Sequence, residues 1–178
     1  GLNRAEYDRQ LARQQAAIQR MTIDAWLANR EAFIQRREAQ RAAGEERPTG
    51  RAPEAKRSQE QAREEIRRKL IAQKAKDKIK GGLSEAKAID EATAEVDAFF
   101  EGKVALHDPD QVAGGGATIS VPRSAKAAEQ ILGEGSVNSS IGAQWRSKSR
   151  VGAVQAAAEK VAVKKRKKEK MNVSCTTA

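Results

Sequence analysis

The sequence predicts a mainly α fold: long N-terminal helices followed by a compact helical domain with glycine-rich loops. Apolar residues recur every three or four positions across most of the chain, the period of a helix with one buried face. Glycine and proline gather at a few points between these stretches, where they end helices rather than interrupt them. Of the 178 residues, 39% are apolar and 3% aromatic, so a large, aromatic-rich interior is excluded.

Residues 2 to 44 read as helix almost throughout, with Tyr7, Leu11, Ile18, Trp26, Phe33 and Ile34 as a thin apolar stripe. Thr22 is placed to cap a second helix and split the segment. Gly44 to Pro53 holds two prolines and two glycines, which is linker chemistry. The expected boundary falls there, with a helical extension and linker over residues 1 to 50 and a second domain over residues 51 to 178. The next helix is expected from Pro53 to Lys80, with Ser58 and Gln61 at capping-box spacing and Ala62, Ile66 and Leu70 repeating every four residues. Gly81-Gly82 stops it. Ser84 then caps a helix on which Ile89, Ala92, Val96, Phe99 and Phe100 form the best apolar face in the chain.

That helix leads through Val104-Ala105-Leu106 into His107-Asp108-Pro109-Asp110-Gln111 and then Gly114-Gly115-Gly116. Thr118 to Val121 reads as a brief strand, and Ser124 begins a small helix. A last helix opens near Asn138-Ser139-Ser140 and turns Ile141, Trp145, Val151, Val154 and Ala158 inward. A polybasic run, Lys164 to Lys170, precedes a weakly structured end.

Lys and Arg number 34 against 24 Asp and Glu, a net charge of +10, so an anionic partner is expected: nucleic acid, an anionic membrane or an acidic protein. No apolar run approaches the roughly 20 residues of a membrane span, and no signal peptide opens the chain, which is expected to be soluble. It begins Gly1-Leu2-Asn3 without a methionine and is expected to be a piece of a longer chain, with any delivery signal upstream. One cysteine, Cys175, excludes an internal disulfide, and one Cys with one His excludes a closed four-ligand zinc site. A mechanism needing two histidines from one chain is excluded as well.

His107 and Asp110 are the candidate catalytic pair. Hydrolysis of a phosphodiester needs a group that activates water and a group that neutralises charge in the transition state. Histidine titrates near neutral pH and can take the proton, while an aspartate can hold a hard cation such as Mg²⁺, which needs few protein ligands. Asp110 and His107 are therefore also the candidate metal ligands. The same residues have a purely structural reading. Asp108 before Pro109, with Gln111 three residues on, is a capping box, and Asp110 is then only a first-turn acid favoured by the helix dipole. Asn138, Ser139 and Ser140 read as helix-capping residues, and alternatively as a phosphate-holding helix start, with Gln144 and Arg150 within reach of the same ligand. Trp145 reads as core. The scarcity of aromatics leaves little for stacking on single strands and favours the duplex backbone as ligand.

The stretch Ala105-Leu-His107-Asp-Pro-Asp110-Gln-Val-Ala-Gly-Gly115, followed by Val137-Asn-Ser-Ser-Ile-Gly-Ala-Gln-Trp145, Arg150-Val-Gly152 and a basic run ending Lys170-Met-Asn172, resembles the HxxD "novel toxin" domain of bacterial polymorphic toxins. The resemblance spans roughly residues 84 to 172. It implies a mainly helical DNase of the kind carried by type VI secretion effectors, delivered into the cytoplasm of a competing bacterium. The His and Asp of the motif, here His107 and Asp110, are required for activity in that reading. It also implies a cognate immunity protein and a secretion adaptor or chaperone.

Two further expectations stand beside this one. The long charged helices equally suit a non-catalytic basic module that binds nucleic acid or an acidic partner and releases it with salt. Residues 2 to 44, with their narrow stripe, are expected to be held by an adaptor, an immunity protein or another part of the effector.

Overall fold

A computed structural model describes residues 3–147 and 150–175, and the mainly α expectation holds over them. Helices α1 (Arg4–Arg20) and α2 (Ile23–Ala42) form from the first stretch and part where the sequence places Thr22, whose hydroxyl accepts the Ala25 amide at 3.3 Å. Of the holders expected for their stripe, another part of the same chain is the one seen. Tyr7, Leu11, Ile18, Trp26 and Phe33 are buried against Val112, Ala113, Val137, Ile141 and Trp145 of the same chain.

Helix α3 (Glu54–Lys80) and helix α4 (Glu85–Phe100) make a hairpin joined by a short loop, in which Gly82 takes a φ of +98°. Salt bridges from Lys78 to Glu91 and Glu95, and from Arg67 to Asp97, run across it. Two expectations change here. Ser58 lies inside α3 rather than at its cap, and its hydroxyl accepts the Ile119 amide at 2.8 Å. On α4 the buried stripe is Ala88, Ala92, Val96 and Phe100, spaced by four, whereas Ile89 is 43% and Phe99 37% exposed. Val96 and Phe100 of α4 pack with Ala62, Ile66 and Leu70 of α3, and a face drawn through Ile89 and Phe99 is rotated away from that contact.

Strand β1 (Lys103–Ala105) follows and pairs antiparallel with β2 (Leu132–Glu134), Val104 opposite Gly133. Thr118 to Val121 forms no strand; Ile119 and Val121 instead cover the cluster formed by α3, α4 and the two strands. Three-residue strands are too short to show the period-two alternation that identifies a strand in sequence. Helix α5 (Ala125–Glu129) is capped by Ser124 as expected, its hydroxyl accepting the Ala127 amide at 3.2 Å. Glu6 and Arg9 tie α1 to this sheet. The Arg9 guanidinium donates to the carbonyls of Gln130 and Leu132, and Glu6 accepts the Glu134 amide at 3.1 Å.

Helix α6 (Gly135–Arg146) leaves β2 directly, and α7 (Val151–Lys160) and α8 (Val163–Arg166) complete the described helices. Residues 169–175 are held rather than loose. Met171 and Val173 are buried, the Met171 amide donates to Met21, and the Ile23 amide to Glu169.

The buried residues form two clusters, one from α1, α2, α6, α7 and the C-terminal segment, the other from α3, α4, α5 and the strands. Ala105 belongs to the second cluster, and Val112 and Ala113 to the first. The chain between them therefore spans the seam, and that short connection is His107 to Gln111.

Candidate active site

At the upstream end of this connection the Leu106 amide donates to Ile131 at 2.8 Å, extending the sheet by one bond. His107 comes next and is half-buried. Its Nε2 lies 3.1 Å from the carbonyl oxygen of Ala117. A carbonyl only accepts, so Nε2 carries the proton of that bond and the neutral ring keeps its lone pair on Nδ1. Burial pushes the imidazole below its usual value; the bond to Ala117 and the negative charges of Asp110 and Asp108 act upwards, and the positive charge of Arg51 acts downwards. The ring is thus neutral at pH 7 and poised to accept a proton.

The capping expectation is corrected in its residue. Asp110, not Asp108, caps a 3-10 turn over Gln111–Ala113, its Oδ1 accepting the Val112 amide at 3.3 Å. Asp108 faces α1, where the Nε and Nη2 of Arg13 meet its Oδ2 at 3.0 and 2.6 Å. Gln111 reaches out of the motif, its Oε1 accepting the Ala52 amide at 2.9 Å. The turn closes tightly because of the glycines behind it. Gly114 takes a φ of +92° under the Trp26 indole, and a Cβ on Gly115 would sit 1.7 Å from the carbonyl oxygen of Pro109. Gly116 has open space around it.

Asp110 is 6% exposed at its side chain, and its Oδ2 lies 3.5 Å from Nη2 of Arg51. On its other side is α6, where a Cβ on Gly142 would come within 3.0 Å of the same oxygen. His107 therefore has the open position and Asp110 the enclosed one.

Two clefts meet at His107. One, of about 310 Å³, is lined by Arg13, Arg20, Asp108, Gly116 and Thr118 to Ser120. The other, of about 460 Å³, is lined by Arg51, Lys56, Gln59, Thr49 and Gln40. His107 lines both, and each cleft carries two cationic side chains. Sequence reasoning missed these four residues. Arg13 lies 95 positions from Asp108, and Arg51 sits in a stretch whose Gly and Pro read as linker.

The other expected binding residues lie elsewhere. Because α6 starts at Gly135, Asn138, Ser139 and Ser140 fall within the helix and cap nothing. The Gln144 side chain accepts the Tyr7 hydroxyl, Arg150 opens α7, and Trp145 is core as expected. None of Asn138, Ser139, Ser140, Gln144 or Arg150 lines either cleft at His107.

Among the described residues no three His, Cys, Asp or Glu side chains come together as a metal cage. A hard cation that keeps its waters and shares the phosphates of a substrate needs only one or two carboxylates. Asp110, whose one ion pair is the long contact of Oδ2 with Arg51, is the carboxylate at His107 whose chemistry fits that role, although α6 encloses it, whereas Asp108 is committed to Arg13.

A family model described as novel toxin 15 matches residues 3–176. The chain belongs to the novel toxin 15 family. It is a bacterial polymorphic toxin domain, and the match takes in α1 and α2 as well as residues 84 to 172, where the sequence resemblance was confined. The family's extent agrees with the packing, since the α1 residue Arg13 and the α2 residue Trp26 hold the segment that carries His107 and Asp110. No curated protein matches this novel toxin 15 chain. Among its described residues no helix is long and apolar enough to cross a membrane.

Proposed function

We propose that this toxin domain hydrolyses the phosphodiester bonds of DNA, with His107 as the general base of an HxxD site. The observation that carries the reading is the placement of a neutral imidazole, its Nδ1 lone pair unused by the Ala117 bond, at the junction of two clefts each bearing two cations. A polyanion laid across the two clefts passes over His107. Water attacking phosphorus gives its proton to Nδ1 as the new P–O bond forms. The P–O ester bond then breaks, and the departing oxygen takes a proton from solvent. Asp110 shapes the turn that presents His107, and its negative charge favours the imidazolium formed in the step. Asp110 would hold Mg²⁺, which would supply further neutralisation of charge. In this reading Arg13, Arg20, Arg51 and Lys56 supply the positive surface, and Asn138, Ser139, Ser140, Gln144 and Arg150 do not touch the reacting phosphate.

Such a chain kills by destroying a competitor's DNA after secretion, by the type VI route in the resemblance, into the target cytoplasm. The producer then needs an immunity protein, and loading needs an adaptor or chaperone. Purified protein incubated with supercoiled plasmid and Mg²⁺ tests the activity: nicking and linearisation that stop with EDTA are expected. Salt-sensitive binding without any cut, across a series of divalent cations, would return the chain to the class of non-catalytic basic modules. Expression in a bacterium lacking the immunity protein should clear the nucleoid of DNA.

A further inference from the structure

Of the two arginines that face the motif's carboxylates, one is locked and one is not. Arg13 places two nitrogens on Asp108 at 2.6 and 3.0 Å, the geometry of a strong charge-assisted pair. Arg51 stands 3.5 Å from Asp110, beyond the roughly 2.7–2.9 Å of such a bond, and its side chain is 46% exposed. An arginine kept this loose beside a buried carboxylate has donors to spare.

Its backbone, by contrast, is fixed on both sides. Before it, the Gly50 amide donates to Gln40 at 2.7 Å and the Gly50 carbonyl accepts from Arg36 at 3.1 Å. After it, the Ala52 amide donates to Gln111, the residue that follows Asp110. Gly50 itself takes a φ of +71° and packs so closely under the Phe33 ring that a Cβ would come within 2.8 Å of it. Four contacts therefore hold a segment that composition marks as a linker, and the one residue they leave projecting is Arg51, which lines the His107 cleft with Lys56.

We propose that Arg51 is a substrate-binding residue of this site, its guanidinium leaving Asp110 to grip the phosphate whose ester bond is cut. The inference rests on the nuclease reading for the identity of the ligand. The planar fork of arginine matches two phosphate oxygens at once, and its charge offsets the charge that builds on them during attack. Release from Asp110 costs little because the contact is long, and it frees the carboxylate as the phosphate arrives. Gln111 is then a positioning residue, setting the loop that carries Arg51 from within the motif that carries His107.

The single histidine makes the test direct, because the imidazole ring signals of this chain by NMR are those of His107 alone. Inorganic phosphate is titrated into the wild type, Arg51→Lys and Arg51→Ala, following that signal at constant pH. The His107 resonance is expected to move in the wild type, to need at least about ten-fold more phosphate in Arg51→Ala, and to behave between the two in Arg51→Lys. An unchanged phosphate titration in Arg51→Ala, or a wild-type resonance that phosphate does not move, overturns the proposal. Dispersed methyl signals confirm that each variant is folded, as a half-exposed side chain predicts. Plasmid cleavage separates this inference from the one beneath it. If the phosphate response depends on Arg51 but no DNA is cut, the nuclease reading alone fails. If DNA is cut and Arg51→Ala cuts it with wild-type kcat and KM, the Arg51 proposal alone fails; the expected loss in kcat is about 10²-fold or more.

Discussion

The indole N–H of Trp26 donates to the carbonyl oxygen of Ala113 at 2.8 Å, joining the first turn of α2 to the turn capped by Asp110. Both partners are buried, Trp26 at 0% exposure, and the bond spans 87 positions of sequence. The N-terminal helices are in this way part of the wall behind the site.

Trp26→Phe keeps an aromatic in the core but leaves the Ala113 carbonyl without that donor. The expected cost is about 1–3 kcal/mol of unfolding free energy in urea, from an unpaired buried acceptor together with lost volume. The turn holding Asp110 loosens with it, so DNA cleavage should fall more than the folded fraction does.

Gly115→Ala and Gly116→Ala, one residue apart, should behave oppositely. At Gly115 the added methyl meets the Pro109 backbone oxygen, an obstacle that does not swing aside, and a loss of about 3 kcal/mol or more with loss of activity is expected. At Gly116 the methyl enters open space, and a change within about 0.5 kcal/mol is expected. Thermal melts of the two variants side by side make the comparison.

His107 should leave a mark on stability against pH. Its folded-state value lies below the usual 6.5, so as pH falls the unfolded chain takes up the proton first. The stability this group contributes is present above pH 6.5 and is lost as pH drops from there through the lowered value. His107→Gln does not titrate, so the wild type should lose more in Tm than the variant between pH 7.5 and pH 5. The same lowered value should set the acid limb of the cleavage profile, placing it below 6.5.

Glu6 should govern a more acidic window. The guanidinium of Arg9 lowers its carboxyl to about 2, against an opposing effect of burial, with further help from Gln10 and the Glu134 amide. Because the folded value is the lower one, the contribution is complete above pH 4.5 and fades as pH falls towards 2. Glu6→Gln is expected to cost at most about 3 kcal/mol at pH 7 and progressively less at pH 3, measured by urea unfolding at both.

The helices were legible because their signals are local. Thr22 and Ser124 do cap the helices that follow them, and Gly82 ends α3 through its own backbone freedom. The adjacency of His107 and Asp110 is local too, and the turn that holds them is short. What was hidden depends on distance in sequence. Nothing around Arg13 announces Asp108, and nothing around Ala52 announces Gln111. The helix start expected at Asn138 moved to Gly135 because β2 delivers the chain already aligned there, a consequence of pairing with β1 some thirty residues earlier. The face of α4 was misjudged for a related reason: size marks a residue as apolar, but the position of α3 decides which face is buried, and it takes in Ala88 and Ala92 while leaving Ile89 and Phe99 exposed.

The central claim is that a neutral imidazole at the meeting of two basic clefts takes the proton of the attacking water. Initial rates of plasmid cleavage by wild type and His107→Ala, at pH 7.5 and with matched circular dichroism spectra, test it most directly. The rate should fall by about 10²-fold or more in the variant. A folded His107→Ala protein that cuts DNA as fast as the wild type contradicts it.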